Sequence, residues 1–169
     1  MCKVNNIQWK VLNLHSYFSN YRNYFIMIKQ ILSIAGKPGL FKLVSRGKNM
    51  LIVEALQTGK RTPAYSHDKV ISLGDISIYT TEGDVPLAEV LDKVYAKTEG
   101  KEVDAKNFPG GEAALRDFFG EILPAYDRER VYTTDIRKLF SWYNILLAAG
   151  FTKFAEEKAS EESIEEKAD

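Results

Sequence analysis

The stretch Leu40-Phe-Lys-Leu-Val-Ser-Arg46, Gly47-Lys-Asn49, Met50-Leu-Ile-Val-Glu-Ala-Leu56, Thr58-Gly-Lys60, Arg61-Thr-Pro-Ala-Tyr65 decides the fold. Residues 40–46, 50–56 and 61–65 read as strands, and the Gly-containing segments between them are tight connections. Upstream, Gly36-Lys37-Pro38-Gly39 supplies another turn, in which Pro presets φ and Gly accepts a positive φ. Residues 28–34 admit either a single helical turn or a first strand. Downstream, residues 70–73 and 76–80 read as two short strands separated by Gly74-Asp75. Five short strands in about fifty residues predict a small SH3/Tudor-like antiparallel β-barrel, since closure removes the edges an open sheet leaves exposed.

After Thr81-Glu82-Gly83-Asp84 the apolar period changes from two to about 3.6. Leu87, Val90, Leu91, Val94 and Tyr95 share one helical face, with Pro86 suited to the first turn and Gly100 beyond the end. Leu115, Phe118, Phe119, Ile122 and Leu123 form a second stripe that stops at Pro124. Ile136, Leu139, Phe140, Tyr143 and Leu147 form a third, entered near Thr133 or Thr134 with Asp135 in the first turn. The predicted class is α+β: a barrel over residues 27–82 followed by a three-helix domain over 84–151. From Thr152 onward seven acidic residues face three basic ones, so residues 152–169 read as an acidic tail.

Residues 1–26 contain five Asn and no acidic residue, and their aromatics follow no sustained period. They read either as an extension translated from a misassigned start ahead of Met27 or as an arm that folds on a partner. No signal peptide and no membrane span are expected, the longest early apolar run being Tyr24-Phe-Ile-Met-Ile28. Cys2 is the one cysteine, and with His15 and His67 it makes too small a set for a four-ligand structural zinc site. No metal and no cofactor are expected, and the chain is expected to be soluble.

The 169 residues carry no net charge, but the balance is uneven. Residues 1–80 hold 11 Lys/Arg against 3 Asp/Glu, and the remainder holds 12 against 20. Either the halves neutralise one another in an intramolecular contact or the first half meets an anionic partner. Because consecutive hairpin turns alternate ends of a meander, Lys37, Lys60 and Arg61 are expected at one end of the barrel and Arg46, Lys48, His67 and Lys69 at the other. RNA would use the second end, with Tyr65 as a stacking platform. A methyl-lysine cage is poorly supplied, with Phe41, Tyr65 and Tyr79 the only strand aromatics.

Ile31-Leu-Ser-Ile-Ala-Gly-Lys-Pro-Gly-Leu-Phe-Lys-Leu-Val-Ser45, Lys69-Val-Ile-Ser-Leu73 and Asp75-Ile-Ser-Ile-Tyr-Thr80 resemble the N-terminal domain of an uncharacterised family of Bacteroidota. Leu123-Pro-Ala-Tyr-Asp-Arg-Glu-Arg-Val-Tyr132 and Ser141-Trp-Tyr-Asn144 resemble that family's helical second domain. The resemblance spans about residues 27–150. It implies a bacterial cytoplasmic setting and a start equivalent to Met27, and it carries no reaction or ligand.

Catalysis finds little support. His67-Asp68 is the one histidine–carboxylate neighbour pair in the patterned chain, with no nucleophile motif to accompany it. Gly36-Lys37-Pro38-Gly39 lacks the spacing and the terminal Lys-Ser/Thr of a phosphate loop. Asp127-Arg128-Glu129-Arg130 is expected to pair internally and cap the flanking helices. Trp142 and Ile145 lie off the third helix's core stripe, so that helix needs cover on a second side, from the barrel or from a homodimer or other protein partner. The reading is a non-catalytic binding or adaptor module that engages protein. The alternatives are a nucleic-acid-binding protein and, third, an enzyme with a His67/Asp68 site.

Overall fold

The computed structural model describes residues 28–155. The proposed extension over 1–26 and the tail beyond residue 155, with Cys2 and His15, lie outside them. A 3-10 turn over Ile28–Gln30 leads into β1 (Ile31–Ile34), β2 (Phe41–Arg46), β3 (Met50–Ala55), β4 (Arg61–Tyr65) and β5 (Val70–Ser72). A second 3-10 turn over Leu73–Asp75 precedes β6 (Ser77–Ile78) and β7 (Val85–Pro86). Three helices follow: α1 (Leu87–Thr98), α2 (Gly111–Ile122) and α3 (Thr133–Ala148). Among the described residues no helix is long and apolar enough to cross a membrane.

The α+β class holds, with differences in how the sheet is made. Its five strands run β4–β3–β2–β1–β5, and each neighbouring pair is antiparallel. The ambiguous segment 28–34 therefore supplies both a helical turn and a strand, and that strand is interior. Residues 76–80 do not enter this sheet. Ile78 pairs with Val85 in a separate two-stranded ladder, Thr80 bridges to Tyr126, and Asp127 N–H donates to Tyr79 O at 3.0 Å. The turn at Leu73–Asp75 redirects the chain, because Leu73 is fully buried beneath the helices and Ile76 N–H closes back onto its carbonyl.

The sheet is curled and open. β4 and β5 are its two outer strands, yet only residues 66–69 connect them. Asp68 N–H donates to Tyr65 O at 3.0 Å, closing a turn, and Lys69 O accepts from Ala35 N–H at 3.0 Å. Such a turn spans less than about 7 Å, whereas four interstrand steps across a flat sheet come to about 19 Å. The outer strands must therefore bend toward each other, and Ala64 of β4 shares a core with Leu32, Ile34, Phe41 and Val53, with Val70 of β5 packed against it. No β4–β5 ladder is present among the described residues.

A larger core joins the other side of the sheet to the helices. Ile28, Ile31, Leu40 and Leu73 pack with Leu87, Val90, Leu91 and Val94 of α1, Leu115 and Phe119 of α2, and Ile136, Leu139, Phe140, Tyr143 and Leu146 of α3. On α3 the innermost last-turn residue is Leu146, with the predicted Leu147 only half-buried. Phe154 is 3% exposed, sets its ring 6.3 Å from that of Tyr143 at a tilt of 56°, and donates its N–H to Asp92 Oδ1 at 2.7 Å. Packing thus extends past residue 151, into the segment read as tail.

Candidate functional site

Between the sheet and α3 lies a groove of two adjoining hollows. The larger, about 1070 Å³, has the β1–β2 turn (residues 35–39) on one wall and residues 102–106 on another, with Arg137, Lys138, Ser141, Trp142, Asn144 and Ile145 of α3 between them. The smaller, about 360 Å³, is bounded by Ile71 of β5, residues 76–79, Leu87, and Val131, Leu139 and Trp142. Ser33, Lys138 and Trp142 line both. Trp142 and Ile145, half-buried, therefore face the sheet across an open groove, so the sheet gives partial cover to the second side of α3.

Asn144 fixes one wall. Its Oδ1 accepts from Val103 N–H at 3.0 Å and its Nδ2 donates to Val103 O at 2.9 Å, a two-bond clasp that pins residues 102–106 to α3. Asp104 turns the rest of that loop by accepting from Asn107 N–H at 3.1 Å and Nδ2 at 3.0 Å, the bonds that chiefly hold its carboxyl below the ordinary value, and from Lys106 N–H at 3.1 Å. Glu102 and Lys106 complete the charged rim. On α3, Arg137 pairs with Glu112 at 2.8 Å while its Nε is buried without a partner. Lys138 Nζ stands 4.8 Å from the centre of the Trp142 ring, and Arg130 lies 3.6 Å from that of Tyr79.

Arg46, Lys48, Tyr65, His67 and Lys69 are all exposed. Tyr65 and His67 stack, their ring centres 5.6 Å apart and their planes 5° from parallel. β-pairing sets Met50 opposite Tyr65, so the β2–β3 connection bearing Lys48 begins beside that stack. The expected division of basic residues between two ends fails for Lys37. Lys37 Nζ is 3.8 Å from Asp68 Oδ2, beside His67 and Lys69, because the curl carries the end of β4 toward the β1–β2 turn. Arg61 is taken by Glu54 at 2.8 Å.

His67 and Asp68 do not converge on a reacting position. The His67 side chain is 79% exposed and its Nε2 is 4.0 Å from Asp68 Oδ1. Asp68 instead closes its own turn, accepting from Tyr65 N–H at 2.9 Å, and this bond, with Lys37 and His67 adding attraction, lowers its carboxyl below the ordinary value. The run at residues 127–130 does not pair internally. Asp127 accepts from the N–H groups of Glu129 and Arg130, Arg128 meets Asp117 at 3.3 Å, and Arg130 covers Tyr79. Trp142 and Ile145 were identifiable from the helical wheel. The opposing wall at Val103, and Arg130 over Tyr79, join segments distant in sequence and leave no local period.

Two family models match the chain: one described as Domain of unknown function (DUF5606) over residues 28–73, and one described as Domain of unknown function (DUF6852) over residues 76–146. Among solved structures, the solution NMR structure of a structural-genomics target from Bacteroides vulgatus is 52% identical, covers 83% of this chain and 100% of that one, and has a TM-score of 0.63. The chain belongs to the family of that protein. The family's two matched segments meet at the 3-10 turn over Leu73–Asp75, the point where the chain leaves the five-stranded sheet. No curated protein matches the chain.

Proposed function

We propose that this protein is a non-catalytic, cytoplasmic binding module whose ligand is a segment of another protein, held in the groove between the sheet and α3. The observation that carries the reading is Trp142, half-buried at the junction of both hollows with Ile145 in the same groove. A large ring with one face packed and one side open to a concave surface is the usual form of a binding anchor. The curled sheet supports the finer assignment to SH3/Tudor-like architecture, as a barrel left without its closing ladder. The use of Asp68 as a turn-closing acceptor supports binding over a His67/Asp68 reaction.

Selection of a displayed library of twelve-residue peptides on the full chain tests this. Enriched peptides should lose binding at least tenfold on Trp142→Ala and on Ile145→Glu, in variants that retain the native circular dichroism spectrum. Failure to enrich any peptide, or enrichment indifferent to both changes, overturns the reading.

The Tyr65–His67 stack favours a second reading, in which single-stranded RNA lies on those rings beside Arg46, Lys48 and Lys69. Three phosphate contacts imply a slope of log affinity against log salt of about −2, at about −0.7 per contact. Salt-insensitive or absent binding in low salt removes it.

A further inference from the structure

The smaller hollow carries information about the chemistry of its occupant. Its walls are aliphatic, built from Ile71, Ile76, Ile78, Leu87, Val131 and Leu139. Ile71, on the outer strand β5, is 51% exposed at its edge. Arg130 and Lys138 also line the hollow, and neither has a carboxylate partner among the described residues; each lies over an aromatic ring instead. Other charges nearby are engaged. Asp135, the acidic residue of this lining, accepts from Tyr132 N–H at 3.1 Å at the start of α3, while Arg137 is held by Glu112 and Lys37 by Asp68. An apolar cavity is thus flanked by two cations that form no ion pair, each steadied by a ring, with one carboxylate, Asp135, in the same lining.

We propose that this hollow binds an acidic segment of a partner protein, with an aliphatic side chain seated among the isoleucines and carboxylates reaching Arg130 and Lys138. The proposal rests on the protein-binding reading above and specifies its ligand. Nucleic acid is disfavoured at this point because the rings of Tyr79 and Trp142 already carry cations on a face, and the aliphatic walls offer no partner for a base edge. An aliphatic side chain, by contrast, gains from every apolar surface it covers there, and its acidic neighbours meet charges that need not be ordered on binding.

The same peptide selection decides the point through the sequences it returns. Enriched peptides should place Ile, Leu or Val between Glu or Asp residues, bind at least tenfold more weakly when Gln replaces the acidic residues, and weaken at least tenfold on Ile71→Asp, an exposed substitution. On Arg130→Glu the acidic peptides should be lost and peptides with Lys in their place recovered, a swap that misfolding cannot produce. Enrichment of neutral or basic peptides overturns the acidic assignment and leaves the protein-binding reading standing. No enrichment at all overturns both. Sedimentation as a dimer that Ile71→Asp dissociates would assign the hollow to a second copy. Amide shifts at Ile71 and Leu139 that change on removal of residues 156–169 would assign it to the chain's own end. Either result overturns the partner assignment.

Discussion

Replacing Asn144 tests whether the groove has a built wall or an incidental one. Asn144→Ala removes both bonds to Val103, a residue that is 7% exposed. Each bond contributes about 0.5–1.5 kcal/mol net, and a stranded buried N–H or C=O costs about 1–3 kcal/mol. The adjoining groove is open, so water can reach the freed backbone groups, and the expected loss is about 2 kcal/mol, at the lower end of that range. For a chain of this size the melting temperature should fall by about 4–8 °C. Asn144→Asp separates the two bonds. A carboxylate still accepts from Val103 N–H, but it sets an oxygen against Val103 O, and only the protonated acid can donate there. The aspartate's pKa should therefore be raised in the folded state. Its stabilising contribution is full below the unfolded value of about 4 and is lost as pH rises through the folded value. Urea denaturation of both variants at pH 4 and pH 7, with hydrogen exchange at the Val103 amide, provides the readout. If both variants stay within about 0.5 kcal/mol of the parent at pH 7 with Val103 protection unchanged, the clasp does not hold the wall.

Three further outcomes follow from contacts elsewhere. Asp68→Ala should remove a contribution that is present above about pH 4 and lost as pH falls through the lowered folded pKa, so the acid limb of the parent's stability curve should flatten in the variant; an unchanged limb refutes it. Gly74→Ala should destabilise by about 1–2 kcal/mol, because a Cβ there would lie 2.8 Å from Lys29 Cγ and 3.2 Å from its Cα, forcing two 3-10 turns apart; an unaltered melt would show that the turns yield freely. Tyr143→Phe should cost about 1 kcal/mol through loss of the 2.8 Å bond to Thr98. Since burial raises the Tyr143 pKa, the parent should also lose stability as pH rises above about 10, and Tyr143→Phe should lose less.

The elements legible in the sequence were those with one buried face. The three helices repeat because neighbouring side chains meet different surroundings, whereas β2, β3 and β4 are marked by the Gly-containing turns that bound them, burial alternating only along β4. β1 is buried on both faces, since Ile31 packs against the helices while Leu32 and Ile34 pack inside the sheet, and so short a segment, three aliphatics around Ser33, is compatible with either element. Residues 76–80 have a strand's pattern, but what fixes their pairing is Val85 and Tyr126, which no local period encodes. Placing turns at alternate ends treats the sheet as flat, and the curl that carries Asp68 to Lys37 defeats it. Half of the groove could be read from Trp142 and Ile145 alone. Its other half depends on a backbone clasp at Val103 and on cations placed over rings, both products of tertiary packing.

The core shared between sheet and helices has a consequence during synthesis. Residues 28–75 leave the ribosome before the helices, when the side chains that will cover Ile31, Leu40 and Leu73 have yet to be made. The curled sheet can gather Leu32, Ile34, Phe41 and Val53 on its own, but its opposite face must wait for Leu87 through Leu146 and finally for Phe154. Until then an apolar surface and the outer edge of β5 are open to neighbouring nascent chains, the circumstance in which a holding chaperone does most good.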